Sequence, residues 1–370
     1  MDAAQSRRNG LGRLVAHENN ASDLLAFLFE MDPKPMVGLL SLEDSHHTCR
    51  REAQARGAKK GRLDMVVRRQ ADGKAVAVLE MKGASDLHGD QLDRYNSWAK
   101  RINPAPRQFY CTLDGDGAAP PAPWQPLSLV QLFGAWRTSN DAHAAWLAGD
   151  IADVLRTWDQ EADGIIGQAT GWYVPDLVSR RAANAIHTRL ARAVHDGSEA
   201  HASRTSGGNP MFMAWRRHPH GSDEAWIALD VRCEGRGDPS RAWLVRPCVD
   251  ITSSGKAGFL EAHDLAVGLQ PAMILPAIQD ALTRRGLGKL AGALQADSHG
   301  GLSGSADTAV LEELRARIAN GARPSRRHPV FFHDQGLRLA TQFRLDVGQL
   351  TRHDLADLTV AILDHLLAHA

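Results

Sequence analysis

Between Arg62 and Lys82 the chain reads RLDMVVRRQADGKAVAVLEMK, two apolar, valine-rich runs on either side of an Asp72-Gly73 turn. Such a pair predicts a β-hairpin. Strand side chains alternate, so Val76, Val78, Glu80 and Lys82 share one face, and Arg62, Asp64, Val66 and Arg68 share one on the partner strand. A three-residue loop, Ala71 to Gly73 with Gly73 left-handed, sets Gln70 opposite Lys74 and therefore Asp64 directly across from Glu80. A two-residue turn would slip the register by one and send the two acids to opposite faces. In the first register their Cβ atoms stand roughly 4.5–5.5 Å apart, and like charges so placed destabilise a sheet.

Something must offset that repulsion. Lys82 and Arg62 could screen the pair, leaving a solvated charge cluster at a sheet end, which is the ordinary meaning of an isolated Glu-x-Lys. A divalent cation is the sharper answer. Two carboxylates with waters completing the shell make a natural Mg²⁺ site, and Mn²⁺ would substitute. Lys82, roughly 6–7 Å along the same face from Glu80, could then orient or help deprotonate the attacking water. That combination suits phosphodiester hydrolysis.

The surroundings read as a mixed α/β unit. ENNASDLLAFLFEMDPKP carries Leu24, Leu25 and Leu28 at helical spacing, with Asn19, Asn20 or Ser22 as candidate caps and Pro33 as the stop. SDLHGDQLDRYNSWAKRIN predicts a helix and QFYCTL (108–113) a strand, so the strand ending at Lys82, this helix and the next strand form a crossover with parallel strands. Gln91, Tyr95 and Trp98 fall at helical spacing, a packing face on which a buried glutamine needs hydrogen-bond partners. After the Pro/Gly loop GDGAAPPAPWQP, a boundary near residue 160 divides the chain into 1–160 and 161–370. The second part predicts a helix over PDLVSRRAANAIHTRLARAVHDG and strands at MFMAWRR, AWIALDVRCE and RAWLVRPCV. A strand pair near 329–345 follows, and then a last helix capped by Thr351 and Asp354. RRHPH and the scattered histidines read as surface residues.

GRLDMVV, VAVLEMK and GDQLDRY, in that order and spacing, resemble the PD-(D/E)xK nuclease superfamily, and more narrowly its bacterial branch with a glutamate on an upstream helix and a downstream QxxxY helix. The resemblance spans roughly residues 14–135, and it departs in one place, where Leu63 rather than proline precedes the aspartate. It implies a restriction-endonuclease-like core, a mixed β-sheet flanked by helices, followed by an additional C-terminal α+β region. It implies Asp64, Glu80, Lys82, Glu18 and Gln91 as catalytic residues, and Asp64, Glu80, Glu18 and the Met81 carbonyl as metal ligands. Glu18 alone would otherwise be an acid meeting a helix dipole. The function implied is an Mg²⁺-dependent endonuclease acting on DNA, in a setting such as restriction or phage defence. The C-terminal part would bind substrate, form a homo-oligomer or recognise a partner.

Composition narrows the field only slightly. Lysine plus arginine and aspartate plus glutamate each number 43 in 370 residues, so no global field points to nucleic acid or membrane. Local support comes from RREAQARGAKKGR (50–62), six basic residues and one acid, whose Arg56, Lys59, Lys60 and Arg62, with Tyr95, are candidate nucleic-acid contacts. The helix SRRAANAIHTRLARA is a second candidate. Nothing approaches a transmembrane run, the N-terminus lacks a secretory apolar core, and Cys49, Cys111, Cys233 and Cys248 form no CxxC pair, so a cytoplasmic protein with reduced thiols is expected. His46, His47 and Cys49 lack a second half for a zinc site and read as a loop or helix surface. Dinucleotide, P-loop, serine-hydrolase and HExxH motifs are absent, which disfavours a metabolic α/β enzyme. The alternative is a non-catalytic nucleic-acid-binding or regulatory protein that keeps the nuclease fold.

Overall fold

The computed structural model describes residues 10–55, 61–82, 91–113, 122–171, 173–192, 197–233, 243–252, 255–297, 308–322, 331–334 and 337–370. The chain divides into two compact units, residues 1–161 with 171–174, and residues 162–170 with 175–370.

In the first unit, helices α1 (Glu18–Met31) and α2 (Lys34–Leu39) precede a hairpin array of β1 (His47–Ala55), β2 (Gly61–Arg69) and β3 (Ala75–Lys82). Helix α3 (Gln91–Ala99) leads to β4 (Arg107–Thr112) and β5 (Gln125–Ser128), and α4 (Leu129–Gly134) and α5 (Ala142–Asp163) follow. The sheet order is β1-β2-β3-β4-β5. The first two pairings are antiparallel and the last two parallel, so β3, α3 and β4 form the expected crossover. Leu63, Val66, Val78, Leu92, Tyr95, Tyr110 and Trp124 form a buried cluster between sheet and α3.

Helix α1 begins at Glu18 without a side-chain cap, and the Ser22 hydroxyl instead donates back to the Glu18 and Asn19 carbonyls. None of the three expected caps is used. What anchors the helix is its far end, where the fully buried Trp136 donates its indole N–H to the Asp32 carbonyl at 2.8 Å. In this unit two strands escaped the sequence reading. β1 lies in the basic run, with His47 and Cys49 on a strand rather than in a loop or helix, and β5 sits at the edge, where Pro126 is tolerated because an edge position demands less of the backbone.

The hairpin tip differs instructively from expectation. Arg69 donates to the Lys74 carbonyl and accepts from Gly73 N–H, so four residues, not three, make the turn, with Gly73 at φ 68°. Met65↔Leu79, Val66↔Val78 and Val67↔Ala77 nevertheless keep the expected register, because Arg68 pairs with Ala75 and Val76 bulges out. The extra residue in the turn is cancelled by an extra residue in β3.

In the second unit, α6 (Val174–Arg192) precedes the meander β6 (Glu199–Arg204), β7 (Pro210–Arg217), β8 (Ala225–Arg232) and β9 (Trp243–Ile251). Helices α7 (Lys256–Met273) and α8 (Leu275–Arg284) follow, then β10 (Leu294–Ala296), β11 (Phe332–Asp334), β12 (Leu337–Ala340), β13 (Phe343–Leu345) and the helix Arg352–Leu367. The sheet runs β10-β13-β9-β8-β7-β6, with β12 also on β9 and β11 on β12. The Thr351/Asp354 capping box is present. Several charges taken for surface are structural. Arg216 and His218 are buried, Arg216 on Asp364 at 2.6 Å. Arg180 and Arg181 of α6 are buried too, Arg181 reaches Asp163 and Arg189 reaches Asp357, so that helix spends these arginines inside the unit rather than on a phosphate backbone. Among the described residues the four cysteines are free, and no single helix is long and apolar enough to cross a membrane.

One close approach fixes the start of this unit. Ile166 and Gly167 donate to the Leu350 and Val347 carbonyls, and a Cβ on Gly167 would lie 2.3 Å from Gly348 Cα. Backbone cannot yield as a side chain can. Gly167→Ala is expected to cost about 1–3 kcal/mol, seen as a lower thermal midpoint.

Candidate active site

Two strands and two helices bring the predicted residues together. β2 contributes Asp64, β3 contributes Glu80, Met81 and Lys82, and Gln91 opens α3. One Asp64 oxygen accepts the Met81 backbone N–H at 2.8 Å. The ladder between β2 and β3 is in step up to Met65↔Leu79, and a carboxylate serves as the next rung. The acids do converge, and each is felt by the other.

Glu80 is fully buried. Its Oε1 meets Lys82 Nζ at 2.9 Å and accepts from Gln91 Nε2 at 2.6 Å. Gln91 Nε2 also lies 3.1 Å from the Tyr95 hydroxyl, which donates to the Arg62 carbonyl at 2.5 Å. A chain of hydrogen bonds thus runs from β2 through α3 to Glu80. The buried glutamine finds its partners here, as its place in an apolar stripe required. Tyr95 is 3% exposed and fully engaged, so it positions the site from inside rather than touching nucleic acid. Arg62 is exposed at the rim and pairs with Glu52 at 3.2 Å. Arg56, Lys59 and Lys60 lie outside the described residues. Glu18, the first residue of α1, stands close enough for its charge to act on Asp64, Glu80 and Lys82.

The electrostatics have one theme, an excess of negative charge in a dry place. Burial first, then the charge of Asp64, push the Glu80 carboxyl up to about 8. Burial also raises Asp64, although the Met81 N–H and Lys82 both work to lower it. For Lys82, burial opposes the charge, but Glu80, Glu18 and Asp64 outweigh it and hold the ammonium's proton more tightly than usual. Among the described residues, one ammonium stands against three carboxylates.

Glu80 Oε2 is buried, and the two carboxylates offer hard oxygen donors, of the kind a divalent cation takes. Among the described residues no three His, Cys, Asp or Glu side chains are gathered at ligand spacing. Two carboxylates, a main-chain carbonyl and solvent or phosphate oxygens would have to fill the shell, a composition Mg²⁺ commonly accepts.

The same charge excess predicts a pH response in chelator. The folded protein holds the Glu80 proton more tightly than the unfolded chain, which titrates near 4.5. The stability this contributes is therefore complete below that value and is lost as pH rises through about 8. Thermal midpoints measured in EDTA should fall across that window, and Glu80→Gln should flatten the profile and exceed the wild type at its alkaline end.

No curated protein and no solved structure matches the chain. The family model of the PD-(D/E)XK nuclease superfamily matches residues 41–162. That span holds Asp64, Glu80, Lys82, Gln91 and Tyr95, while Glu18 lies before it. The five-stranded mixed sheet with its flanking helices has the restriction-endonuclease-like arrangement, and the eight-stranded sheet is additional to it. Residues 41–162, which carry the β2–β3 site, are thus similar to the PD-(D/E)XK nuclease superfamily over about a third of the chain.

Proposed function

We propose that this protein is a metal-dependent nuclease that hydrolyses phosphodiester bonds in DNA, using Mg²⁺ with Mn²⁺ as a working substitute. The observation that carries the reading is the fully buried Glu80 carboxyl held against Asp64. Such a group is costly in a resting protein, and it becomes useful once a cation is taken up.

Asp64, Glu80 and the Met81 carbonyl would hold the metal, with Glu18 adding negative charge behind them. Bound there, the ion would polarise a phosphate oxygen and make water a competent nucleophile near neutral pH. The remaining work falls to the chain itself. Lys82 keeps its proton in this field and presents an ammonium where charge grows on the phosphate as water attacks and the P–O bond breaks. Gln91 fixes Glu80 Oε1, and Tyr95 fixes Gln91 against the backbone next to Leu63 and Asp64. Arg62, exposed at the rim, would meet the nucleic-acid backbone. The second unit is assigned substrate binding, self-association or partner recognition, and a cytoplasmic role in restriction or phage defence rests on the family resemblance.

Plasmid, single-stranded DNA and RNA incubated with the protein in Mg²⁺ or Mn²⁺ test the proposal. Cleavage is expected on DNA, abolished by EDTA. Asp64→Ala and Lys82→Ala should each lower kcat by roughly 100-fold or more, and Gln91→Ala by less. A wild type inert on every substrate, with no Mg²⁺ or Mn²⁺ binding by calorimetry, would leave the non-catalytic nucleic-acid-binding reading standing.

A further inference from the structure

Register across β1 and β2 runs in step from His47↔Arg69 to Ala55↔Gly61, with one position missing, Glu52 against Asp64. Glu52 has φ 48°, in the left-handed region that non-glycine residues seldom enter. The residue facing the motif aspartate is therefore the one that breaks the strand conformation.

Both strands change face there. In β1, Arg51 points to α1, where it donates to the Ser22 hydroxyl and pairs with Asp23, whereas Ala53 packs on the opposite cluster with Tyr95. Two residues apart, these should share a face. In β2, Leu63 and Val66 join that same cluster, although three residues apart they should oppose each other. The half-turn falls at Glu52 in one strand and between Leu63 and Val66 in the other, the interval that contains Asp64. A regular strand stands its side chains perpendicular to the sheet, whereas the Met81 N–H that Asp64 receives lies along the ladder direction, in the sheet's plane. Asp64 can reach that N–H because its strand is being rotated at that point.

We propose that Glu52 is a positioning residue for the reaction, and that it acts through its left-handed backbone, not its carboxylate, by turning β1 and β2 so that Asp64 lies in the plane of the sheet beside Glu80. The exposed Glu52–Arg62 ion pair is incidental, as surface pairs generally are. The inference rests on the nuclease reading for its consequence but not for its geometry.

Four variants separate backbone from side chain. Glu52→Gly and Glu52→Asn admit the left-handed conformation, whereas Glu52→Val, and more mildly Glu52→Ala, disfavour it. Three quantities are measured on each: hydrogen exchange at the Met81 amide in metal-free protein, Mn²⁺ affinity by calorimetry, and kcat and KM for DNA cleavage. The glycine and asparagine variants should match wild type in all three. The valine variant should lose Met81 protection while neighbouring β2–β3 amides keep theirs, bind Mn²⁺ about 10–100-fold more weakly, and lose kcat with KM unchanged. Should valine prevent folding, alanine should show the same pattern in smaller measure. Wild-type Met81 protection and Mn²⁺ affinity in the valine or alanine variant would overturn the proposal, as would a glycine variant as damaged as valine. A wild type that binds Mn²⁺ and shows the exchange pattern but cuts nothing would defeat the nuclease reading and leave this one intact.

Discussion

The first unit is organised around a carboxylate that has been denied what a carboxylate needs. Glu80 is sealed from water, shares its surroundings with Asp64 and the field of Glu18, and among the described residues has one ammonium, Lys82, as local relief. No arrangement of so few residues makes that comfortable, so the neighbourhood is spent on keeping it in place. Gln91 and Tyr95 tie it to the β2 backbone, and Trp136 ties down the helix that brings Glu18. Rigid elements rather than loops supply nearly every group involved, which is how small positional tolerances are held.

Charge is handled differently in the second unit. There arginines and aspartates meet closely at full or partial burial, as in buried Arg216 with half-buried Asp364, buried Arg181 with exposed Asp163, and Arg232 and Arg338 around the fully buried Asp230. Such pairs add little net stability over apolar packing but penalise any arrangement that separates them. They fix the relative placement of helices and strands inside that unit, and they account for the arginines of α6 that looked available for nucleic acid. A balanced overall charge therefore conceals two regimes, one with partners supplied and one deliberately short of them.

What was legible in the sequence was whatever rested on short-range pattern. Alternation in β2 and β3, the crossover through α3 and the Thr351/Asp354 cap follow from spacing and residue type, whereas the place of Gln91 beside Glu80 was implied by the family resemblance. β1 was not legible because His47–Ala55 is an edge strand with alternate residues in water, and an arginine-rich edge looks like a solvated run. The missing caps of α1, the burial of His218 and the face change at Glu52 depend on tertiary neighbours, and no local pattern announces them. The hairpin register was anticipated with the wrong count at its tip, and two deviations cancelled.

That cancellation has a consequence for how the chain can vary over time. The four-residue turn after Arg69 and the bulged Val76 are each off by one, in opposite senses. Deleting one residue at the tip, or ironing out the bulge, would by itself swing every side chain from Val76 to Lys82 through the sheet and carry Glu80 away from Asp64. Length drift in this hairpin is thus confined to paired events. A surface loop, ordinarily the freest part of a protein to lengthen or shorten, is here geared to the reaction centre at the other end of two strands.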